Sequence, residues 1–304
     1  MNDNEPILIK ESMNNIIKEH TELSEIKEML LQFVDYQSAK GFPFGELLLL
    51  HYNLFNGFKT EKIYSVAAAM EFLVLASDIL DDFEDDDAIY KPWSSQKDLA
   101  LNATTNLLFL NLKIITESDF KNKDKGVSLL IEYVLKSING QYKDLLNICK
   151  SESQYIDMSI EKSGSLTALA CLLGTILATD DYPEDIEIYS KYMGLIGQIN
   201  NDIADFGVGN EKSDIMNHKY SLPIIFLLNC KDKEVQFLQD YYHNEIDKNE
   251  ILKKEELLNK KFIDTGAMAY TEVIKRIYQN KAMTKVQSLH FEKCYMDQLQ
   301  KFIY

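Results

Sequence analysis

The chain is poor in the residues that build linkers and disulfide frameworks. It has 12 glycines and 5 prolines in 304 residues, which leaves little material for flexible connections, so we expect one domain over residues 1–304. Its four cysteines are widely separated and match neither a zinc knuckle nor a compact disulfide scaffold. No basic segment followed by an apolar one opens the sequence. These absences together predict a protein of the reducing cytoplasm.

Positive charge is also scarce. The net charge is −16, and Arg276 is the only arginine. Nucleic-acid binding rests on lysine and arginine contacts to phosphates, so a nucleic-acid partner is not expected. A chain this negative binds an anionic ligand only through bound cations or a few well-placed lysines. The longest apolar run, residues 166–178, is shorter than the roughly 20 residues that span a bilayer, so no transmembrane segment is expected.

The hydrophobic pattern is helical along most of the chain. Apolar residues recur at i, i+3 and i+4 intervals, and no sustained two-residue alternation bounded by turn residues is present. Turn residues such as Gly41, Gly57 and Pro92 separate the helical stretches. The sequence therefore predicts an all-α fold.

Two acidic clusters lie about 120 residues apart, each in helical register. At about 100° per residue, the acids of each cluster fall within an arc of about 100° on one helix face. Crowded carboxylates resist desolvation unless hard divalent cations lie among them, and oxygen ligands favour Mg²⁺ with phosphate oxygens completing its shell. The first cluster is Asp81, Asp82 and Asp85, and the second is Asn201, Asp202 and Asp205.

Each cluster ends a long apolar stretch, residues 64–86 and 188–206. The carboxylates should therefore meet at the mouth of an apolar cavity, which suits a ligand with an anionic head and an apolar tail. An acidic run taken alone is more often a solvated surface, but a second run with matching spacing favours a ligand set. The sequence predicts a lipid diphosphate, which bound cations polarise and apolar walls shelter from water.

The chain resembles the trans-isoprenyl diphosphate synthases, and among them the ComQ-type isoprenyl transferases that modify a quorum-sensing peptide. Four of its segments match motifs of that family and occur in the family's order. Residues 71–85 (EFLVLASDILDDFED) match the first aspartate-rich helix, and residues 194–205 (GLIGQINNDIAD) match the second, with Asn201 replacing an aspartate. Lys162-Ser163 stands where the family has Lys-Thr. Residues 214–223 (DIMNHKYSLP) match a further segment, with His218 replacing a glycine.

The resemblance implies a single large helical bundle of the isoprenoid synthase type with a central apolar cavity, in a Mg²⁺-dependent prenyltransferase. It assigns the six residues of the two acidic clusters to metal binding and their five aspartates to catalysis. It also implies a homodimer. The residues implied to bind the prenyl diphosphate are Lys162, Ser163, Gln198 and Lys219, with Ala76 and Ser77 facing the tail.

Departures from the family pattern concern the second substrate. Chain-elongating synthases bind isopentenyl diphosphate through arginines before and after the first cluster, and this chain has none in either place. A pocket without guanidinium groups suits an apolar or aromatic acceptor. The ComQ resemblance implies that geranyl or farnesyl diphosphate donates its prenyl group to a tryptophan of a ComX-type precursor peptide.

Two other classes remain open at this point. One is a short-chain trans-polyprenyl diphosphate synthase or a class I terpene cyclase on the same scaffold, and the other is a silent binding partner of a synthase. The missing arginines weigh against chain elongation. The residues after Asn201 weigh against a cyclase, because Asp205 and Gly209 stand where its second metal motif has Ser or Thr and Glu. Two complete carboxylate sets weigh against a silent subunit.

Overall fold

A computed structural model describes residues 4–85, 88–204 and 214–304 of the chain. These residues form α-helices joined by turns, with no strand among them, so the all-α prediction is confirmed. A π-helical turn at Ile160–Gly164 and a 3-10 turn at Lys233–Val235 join the helices in the same order. The helices are α1 Glu5–His20, α2 Ser24–Ser38, α3 Pro43–Leu54, α4 Lys62–Glu84, α5 Lys97–Glu117, α6 Lys123–Leu145, α7 Glu152–Ser159, α8 Ser165–Ala178, α9 Glu184–Ala204, α10 Leu222–Leu228, α11 Gln236–Tyr242, α12 Lys248–Leu252, α13 Glu255–Asp264, α14 Ala267–Ser288 and α15 Lys293–Ile303.

The helices gather into two compact units, each built from separate stretches of chain. The first comprises Met1–Val134, Leu166–Glu187 and Leu289–Leu299, and the second comprises Leu135–Ser165, Ile188–Ser288 and Gln300–Tyr304. The expectation that residues 1–304 form one domain stays a prediction.

In the first unit, α4 is the central helix. It packs against α1, α3 and α5, and its residues 66–76 are buried without interruption. A helix that is apolar on every side belongs to a core, because no face of it gains from contact with water. Apart from the buried Glu71, the acidic residues of α4 come only after this segment, toward the C-terminal end of the helix. The interior of the unit thus fixes the position of the helix that carries the first acidic cluster.

A buried carboxyl group joins α4 to the start of α3. The Gly45 N–H, in the first turn of α3, donates a hydrogen bond of 2.6 Å to Oε1 of Glu71. The first N–H groups of a helix have no partner within it, and Glu71 supplies one. Burial raises the pKa of Glu71 to about 8, against the lowering effect of the Gly45 and Phe44 N–H groups. The neutral acid is therefore the dominant form at pH 7.

The second unit has two apolar clusters. One packs α7, α9, α10 and α14 around Ile199, Leu222 and Ile274. The other gathers residues of α10, α11 and α13 around Leu227, Leu238 and Phe262. The first of these clusters includes Tyr155 of α7, which lies beside the second acidic cluster.

Three helical segments are long and apolar enough to cross a membrane by length and composition alone: α4, α5 and residues 152–178. For α4 and residues 152–178, 72% of the most apolar window is buried inside the protein. A helix buried in a protein core has the same apolar composition as one that spans a membrane. Hydropathy therefore does not distinguish a core helix from a membrane-spanning helix here. The expectation that the chain has no transmembrane segment stays a prediction.

Candidate active site

The first acidic cluster stands at the C-terminal end of α4. Asp81 and Asp82 lie in the last turn, and the N–H of Asp85, which follows the helix, donates to the Asp81 carbonyl at 2.8 Å. The C-terminal end of a helix carries partial negative charge, which disfavours carboxylates there, and the last turn of α4 has no basic residue. Stabilising positive charge must therefore come from outside this helix.

Two side chains beyond α4 hold the Asp82 carboxylate. Lys91 forms an ion pair with Oδ1, and Trp93 donates its Nε1–H to Oδ2 at 2.8 Å. The Trp93 residue is only 2% exposed, and its ring packs edge-on against Phe33 and Tyr36 of α2. Asp82 thus has one charged and one neutral partner, both from the short segment that follows the cluster.

Asp78 adds a further acid to the same end of α4. Its pKa is raised to about 6, chiefly by desolvation; Lys40 opposes the rise, and the charges of Asp81 and Asp82 add to it. The mutual repulsion of these carboxylates agrees with the crowding that their helical spacing predicts.

In the second cluster, Asp202 of α9 is buried and bonded to neutral donors. The Tyr155 hydroxyl donates to its Oδ2 at 2.5 Å, and the Gln198 side-chain amide donates to its Oδ1 at 3.0 Å. Burial, with a smaller contribution from the charge of Asp214, raises the pKa of Asp202 to about 7 against the lowering effect of both hydrogen bonds. Burial also holds the pKa of Tyr155 well above its ordinary value, so its hydroxyl stays a donor.

The π-helical turn at Ile160–Gly164 extends this network. The Ser163 hydroxyl donates to the Gln198 side-chain carbonyl at 2.9 Å, so Ser163, Gln198 and Asp202 form one chain of hydrogen bonds. A Cβ atom at Gly194 would lie 2.5 Å from the Ser163 carbonyl oxygen, too close for any larger residue. Glycine at this position of α9 therefore permits the approach that the network needs.

Lys162, in the same turn, is paired with an acid outside both clusters. Its Nζ lies 2.8 Å from Oδ2 of Asp144, and both side chains are largely buried. The ion pair with Asp144 limits the rotation of the ammonium group. Single π-helical turns are rare, and those that occur are frequently at functional sites, so the turn is a further mark of this region.

Lys219 follows a residue in a left-handed backbone conformation. His218 has φ +54°, in the region that usually favours glycine and tolerates histidine better than branched residues. Its ring stacks on Tyr241 at 4.2 Å between centroids. The Lys219 N–H donates to the Asp214 carbonyl at 2.8 Å, and the Tyr242 hydroxyl donates to the Lys219 carbonyl at 2.7 Å. The tight turn therefore forms even though His218 stands where the family that the chain resembles has a glycine.

The remaining predicted residues are placed as follows. Ala76 is fully buried in α4, and the half-buried Ser77 donates its hydroxyl to the Leu73 carbonyl at 2.9 Å. Asn201 of α9 is exposed, and Asp205 lies outside the described residues. Contact of Ala76 and Ser77 with a prenyl tail stays a prediction.

A comparison with known families identifies the family of the chain. The polyprenyl synthetase family model matches residues 27–259, which include every predicted site residue. The chain belongs to the polyprenyl synthetase family. The predicted family and enzyme class are thereby confirmed: this polyprenyl synthetase homologue is a prenyltransferase.

Curated relatives of this prenyltransferase match it over most of its length. It is 35% identical over 272 residues to the tryptophan prenyltransferase ComQ of Bacillus subtilis subsp. natto (strain BEST195), covering 89% of this chain and 84% of the relative. It is 31% identical over 283 residues to the protein of the same name from Bacillus subtilis (strain 168), covering 92% and 93%.

Solved structures match its fold. Heptaprenyl diphosphate synthase from Staphylococcus aureus superimposes with a TM-score of 0.81 at 17% identity, covering 99% of this chain and 96% of the other. Polyprenyl synthase from Caulobacter crescentus, complexed with calcium and isoprenyl diphosphate, gives a TM-score of 0.78 at 17% identity, covering 99% and 95%. The expected isoprenoid synthase type of fold is confirmed.

The donor chemistry of the prenyltransferase fits Mg²⁺. Carboxylate and amide oxygens are the ligands this cation prefers, and it often uses one or two carboxylates with waters and phosphate oxygens. Within the described ranges, no group of three or more His, Cys, Asp or Glu side chains is arranged to hold an ion. Metal binding by the following residues stays a prediction: Asp81, Asp82, Asp85, Asn201, Asp202 and Asp205.

Four side chains of the site lie outside the predicted set: Lys91, Trp93, Asp144 and Tyr155. Tyr155 is 47 residues from its partner Asp202, and no periodicity connects them. Trp93 offers the one usable signal, because it is the only tryptophan in the chain and follows the first cluster closely. The partners of Asp82 and Asp202 became visible only once the helices were packed.

Proposed function

We propose that this prenyltransferase moves an isoprenyl group, geranyl or farnesyl, from its diphosphate to the indole of a tryptophan in a ComX-type precursor peptide. The observation that carries the proposal is the identity of 35% and 31%, over 89% and 92% of the chain, to two proteins named tryptophan prenyltransferase. The reaction breaks the bond between the allylic carbon and the diphosphate oxygen. The indole then supplies the electron pair for the new carbon bond and loses a proton.

The segment before the first cluster supports an acceptor without a diphosphate. Elongating synthases have arginines here, whereas this chain has Glu46 and, packed against the same turn, Glu71. The pKa of Glu46 is raised by burial and by the charge of Glu5. A single arginine, Arg276, cannot supply the several guanidinium groups that elongating synthases use to bind a second diphosphate.

The carboxylates have a role in this reaction. Asp82 and Asp202 would each hold Mg²⁺, which the oxygen donors favour and which is in keeping with the calcium in the Caulobacter crescentus structure. The bound cations would supply stabilisation of the charge that develops on the leaving diphosphate. Lys162 and Lys219 act as point charges on the diphosphate, and the ion pair with Asp144 holds the Lys162 side chain in place.

We also infer a homodimer. Along α6, large apolar residues spaced at i, i+4, i+7 and i+11 are exposed, which places them on one face of that helix. A second copy presenting the same face would cover these apolar side chains. The face comprises Ile131, Leu135, Ile138 and Tyr142.

The homodimer is tested by Ile138→Lys, which should reduce the sedimentation mass to that of one chain. Ile263→Lys is the control, because Ile263 is also exposed but lies on α13. A wild-type protein that sediments as a single chain would contradict the inference.

The cytoplasmic location is part of the same proposal. All four cysteines are free in the structure, and two of them, Cys149 and Cys171, are buried as thiols. A reducing compartment preserves that state. Fractionation of the producing cells should recover the protein with the soluble cytoplasmic enzymes.

The decisive experiment offers two acceptors. Purified protein is incubated with Mg²⁺ and radiolabelled geranyl or farnesyl diphosphate, together with isopentenyl diphosphate or with the tryptophan-containing peptide encoded beside its gene. We expect the label in the peptide, and none after that tryptophan is replaced by phenylalanine. Label that appears instead in a longer prenyl diphosphate, or in a cyclic hydrocarbon, would assign the chain to the synthases or cyclases.

A further inference from the structure

The Asp82 carboxylate has both of its oxygens occupied by side chains of one short segment. Lys91 and Trp93 lie nine and eleven residues after it, and each takes a different oxygen. The Asp82 side chain is 13% exposed and that of Lys91 is 25% exposed. A divalent cation that binds Asp82 must therefore replace one of these two partners or share an oxygen with it.

The two partners differ in how easily they leave. The indole of Trp93 is held by its edge-on contacts with Phe33 and Tyr36, and it is a neutral donor that a metal ion does not repel. Lys91 is a flexible cation whose side chain is partly exposed, and a divalent ion on the same carboxylate repels it. The geometry therefore favours loss of the Lys91 contact and retention of the Trp93 hydrogen bond.

We propose that Lys91 is an exchangeable counter-ion that occupies Asp82 until a divalent cation binds, and that Trp93 is a positioning residue that keeps Oδ1 of Asp82 directed toward that cation. The inference rests on the proposed role of Asp82 in metal binding. It gives the two neighbours opposite effects on metal affinity, because one competes with the cation and the other orients its ligand.

The single tryptophan of the chain makes the exchange observable. Trp93 is the only tryptophan, so all indole fluorescence reports on the residue bonded to Asp82. Lys91 also lies 6.0 Å from the centre of that ring. Departure of Lys91 and arrival of Mg²⁺ should change the emission, which gives a binding curve that does not depend on turnover.

The test is a titration with Mg²⁺ in the presence of inorganic diphosphate. Wild type, Lys91→Met and Asp82→Ala are followed by tryptophan fluorescence, and Trp93→Phe is compared with wild type by calorimetry. Lys91→Met should lower the apparent dissociation constant for Mg²⁺ by about three- to tenfold, since a partly buried ion pair no longer competes. Trp93→Phe should raise it about tenfold, as is typical when a hydrogen-bond partner of a metal ligand is lost.

Two controls separate the exchange from general effects. Lys97→Met removes a nearby positive charge that lies over the Phe83 ring rather than on Asp82, and should leave the Mg²⁺ affinity within about twofold. Phe33→Leu loosens the packing around Trp93 but keeps the indole N–H. Its main effect should be a lower melting temperature rather than a change in Mg²⁺ affinity.

The outcomes distinguish this inference from the proposed function. If Asp82→Ala binds Mg²⁺ as wild type does, the metal site itself is misplaced. If Asp82→Ala loses binding while Lys91→Met and Trp93→Phe bind as wild type does, the metal site stands and the exchange is refuted. Equal tightening by Lys91→Met and Lys97→Met would also refute it, because net charge alone would then explain the effect.

Discussion

The two acidic clusters use the same kind of ligand but support it differently. Asp82 lies partly exposed at the end of α4 and is balanced by the positive charge of Lys91. Asp202 is buried in α9 and is held by the neutral donors Tyr155 and Gln198, with its pKa raised to about 7. An opposite charge can offset the desolvation of a carboxylate more fully than neutral hydrogen bonds do.

This difference affects what a metal must displace. At Asp82 an incoming cation competes with an ammonium group, and at Asp202 it competes with a proton for a substantial fraction of molecules near pH 7. The first cluster is therefore sensitive to the neighbouring lysine, and the second is sensitive to the hydrogen bonds around it. The predictions below test this contrast.

The largest expected effect comes from removing one carboxylate of either cluster. Asp82→Ala and Asp202→Ala should each lower turnover with subsaturating Mg²⁺ by about a hundredfold or more, because the leaving diphosphate loses its stabilisation. Steady-state kinetics against Mg²⁺ concentration measure it. Asp264→Ala, an exposed acid on α13, is the control. Wild-type turnover in either cluster variant would remove that residue from the site.

The next test of the contrast concerns Lys162, in the π-helical turn at Ile160–Gly164. Lys162 forms an ion pair with Asp144, and its proposed role is to place positive charge on the diphosphate. Lys162→Met should lower kcat/KM for the prenyl diphosphate by about ten- to a hundredfold. Lys121→Met, which breaks the exposed pair with Asp180, should change it little. The same reasoning applies to Lys219→Met, and normal kinetics in both Lys162→Met and Lys219→Met would exclude the two lysines.

Loss of a neutral donor at Asp202 should have a smaller effect. Tyr155→Phe keeps the ring but removes the hydroxyl that donates to Oδ2, so the Mg²⁺ affinity should fall about tenfold. Tyr52→Phe is the matched control, because its hydroxyl donates to the Phe58 carbonyl and not to a cluster carboxylate. Calorimetric titration with Mg²⁺ and inorganic diphosphate compares the two. Equal losses would mean that a general packing defect, not the orientation of Asp202, is responsible.

The next prediction concerns the space for the prenyl tail, which the two small residues of α4 one turn before Asp81 are predicted to face. Ser77→Phe and Ala76→Phe should each shift the kcat/KM ratio toward geranyl diphosphate by about fivefold or more, because an added ring shortens the space for the tail. Ala76 is fully buried, so the half-buried Ser77 is the safer site. Parallel assays with geranyl and farnesyl diphosphate measure the ratio. An unchanged ratio in both folded variants would show that the tail does not follow this helix.

Substitution of Glu71 tests whether burial raises the pKa of a carboxyl group in this protein. Its folded-state pKa of about 8 exceeds the ordinary 4.5, so the stability it contributes is complete below pH 4.5 and is lost as the pH rises through 8. Glu71→Gln preserves the neutral form, so between these pH values its free energy of unfolding should gain a few kcal/mol relative to wild type.

Urea unfolding at several pH values measures the Glu71 effect. Glu256→Gln, an exposed residue of α13, should change the pH dependence little. A wild-type curve parallel to that of Glu71→Gln would show that the carboxyl group ionises normally, and would weaken the burial argument for Asp202 as well.

Much of the fold followed from local patterns. The helical period predicted an all-α chain, and the predicted stretches 64–86 and 188–206 overlap α4 and α9 closely. The period also placed the acids of each cluster on one face, because side-chain direction in a helix depends only on position along it. These features need no information about which helix packs against which.

The sequence by itself therefore determined the helices, the acidic faces and the resemblance to a family that the comparisons confirmed. Only the tertiary structure decided which groups support each carboxylate: Trp93 and Lys91 for Asp82, and Tyr155 for Asp202. It also decided which acids burial keeps protonated, since Glu71 has the same side chain as any exposed glutamate in the sequence. The reason is physical: a hydrogen bond or a desolvation cost depends on how distant segments pack, and periodicity describes only one helix at a time.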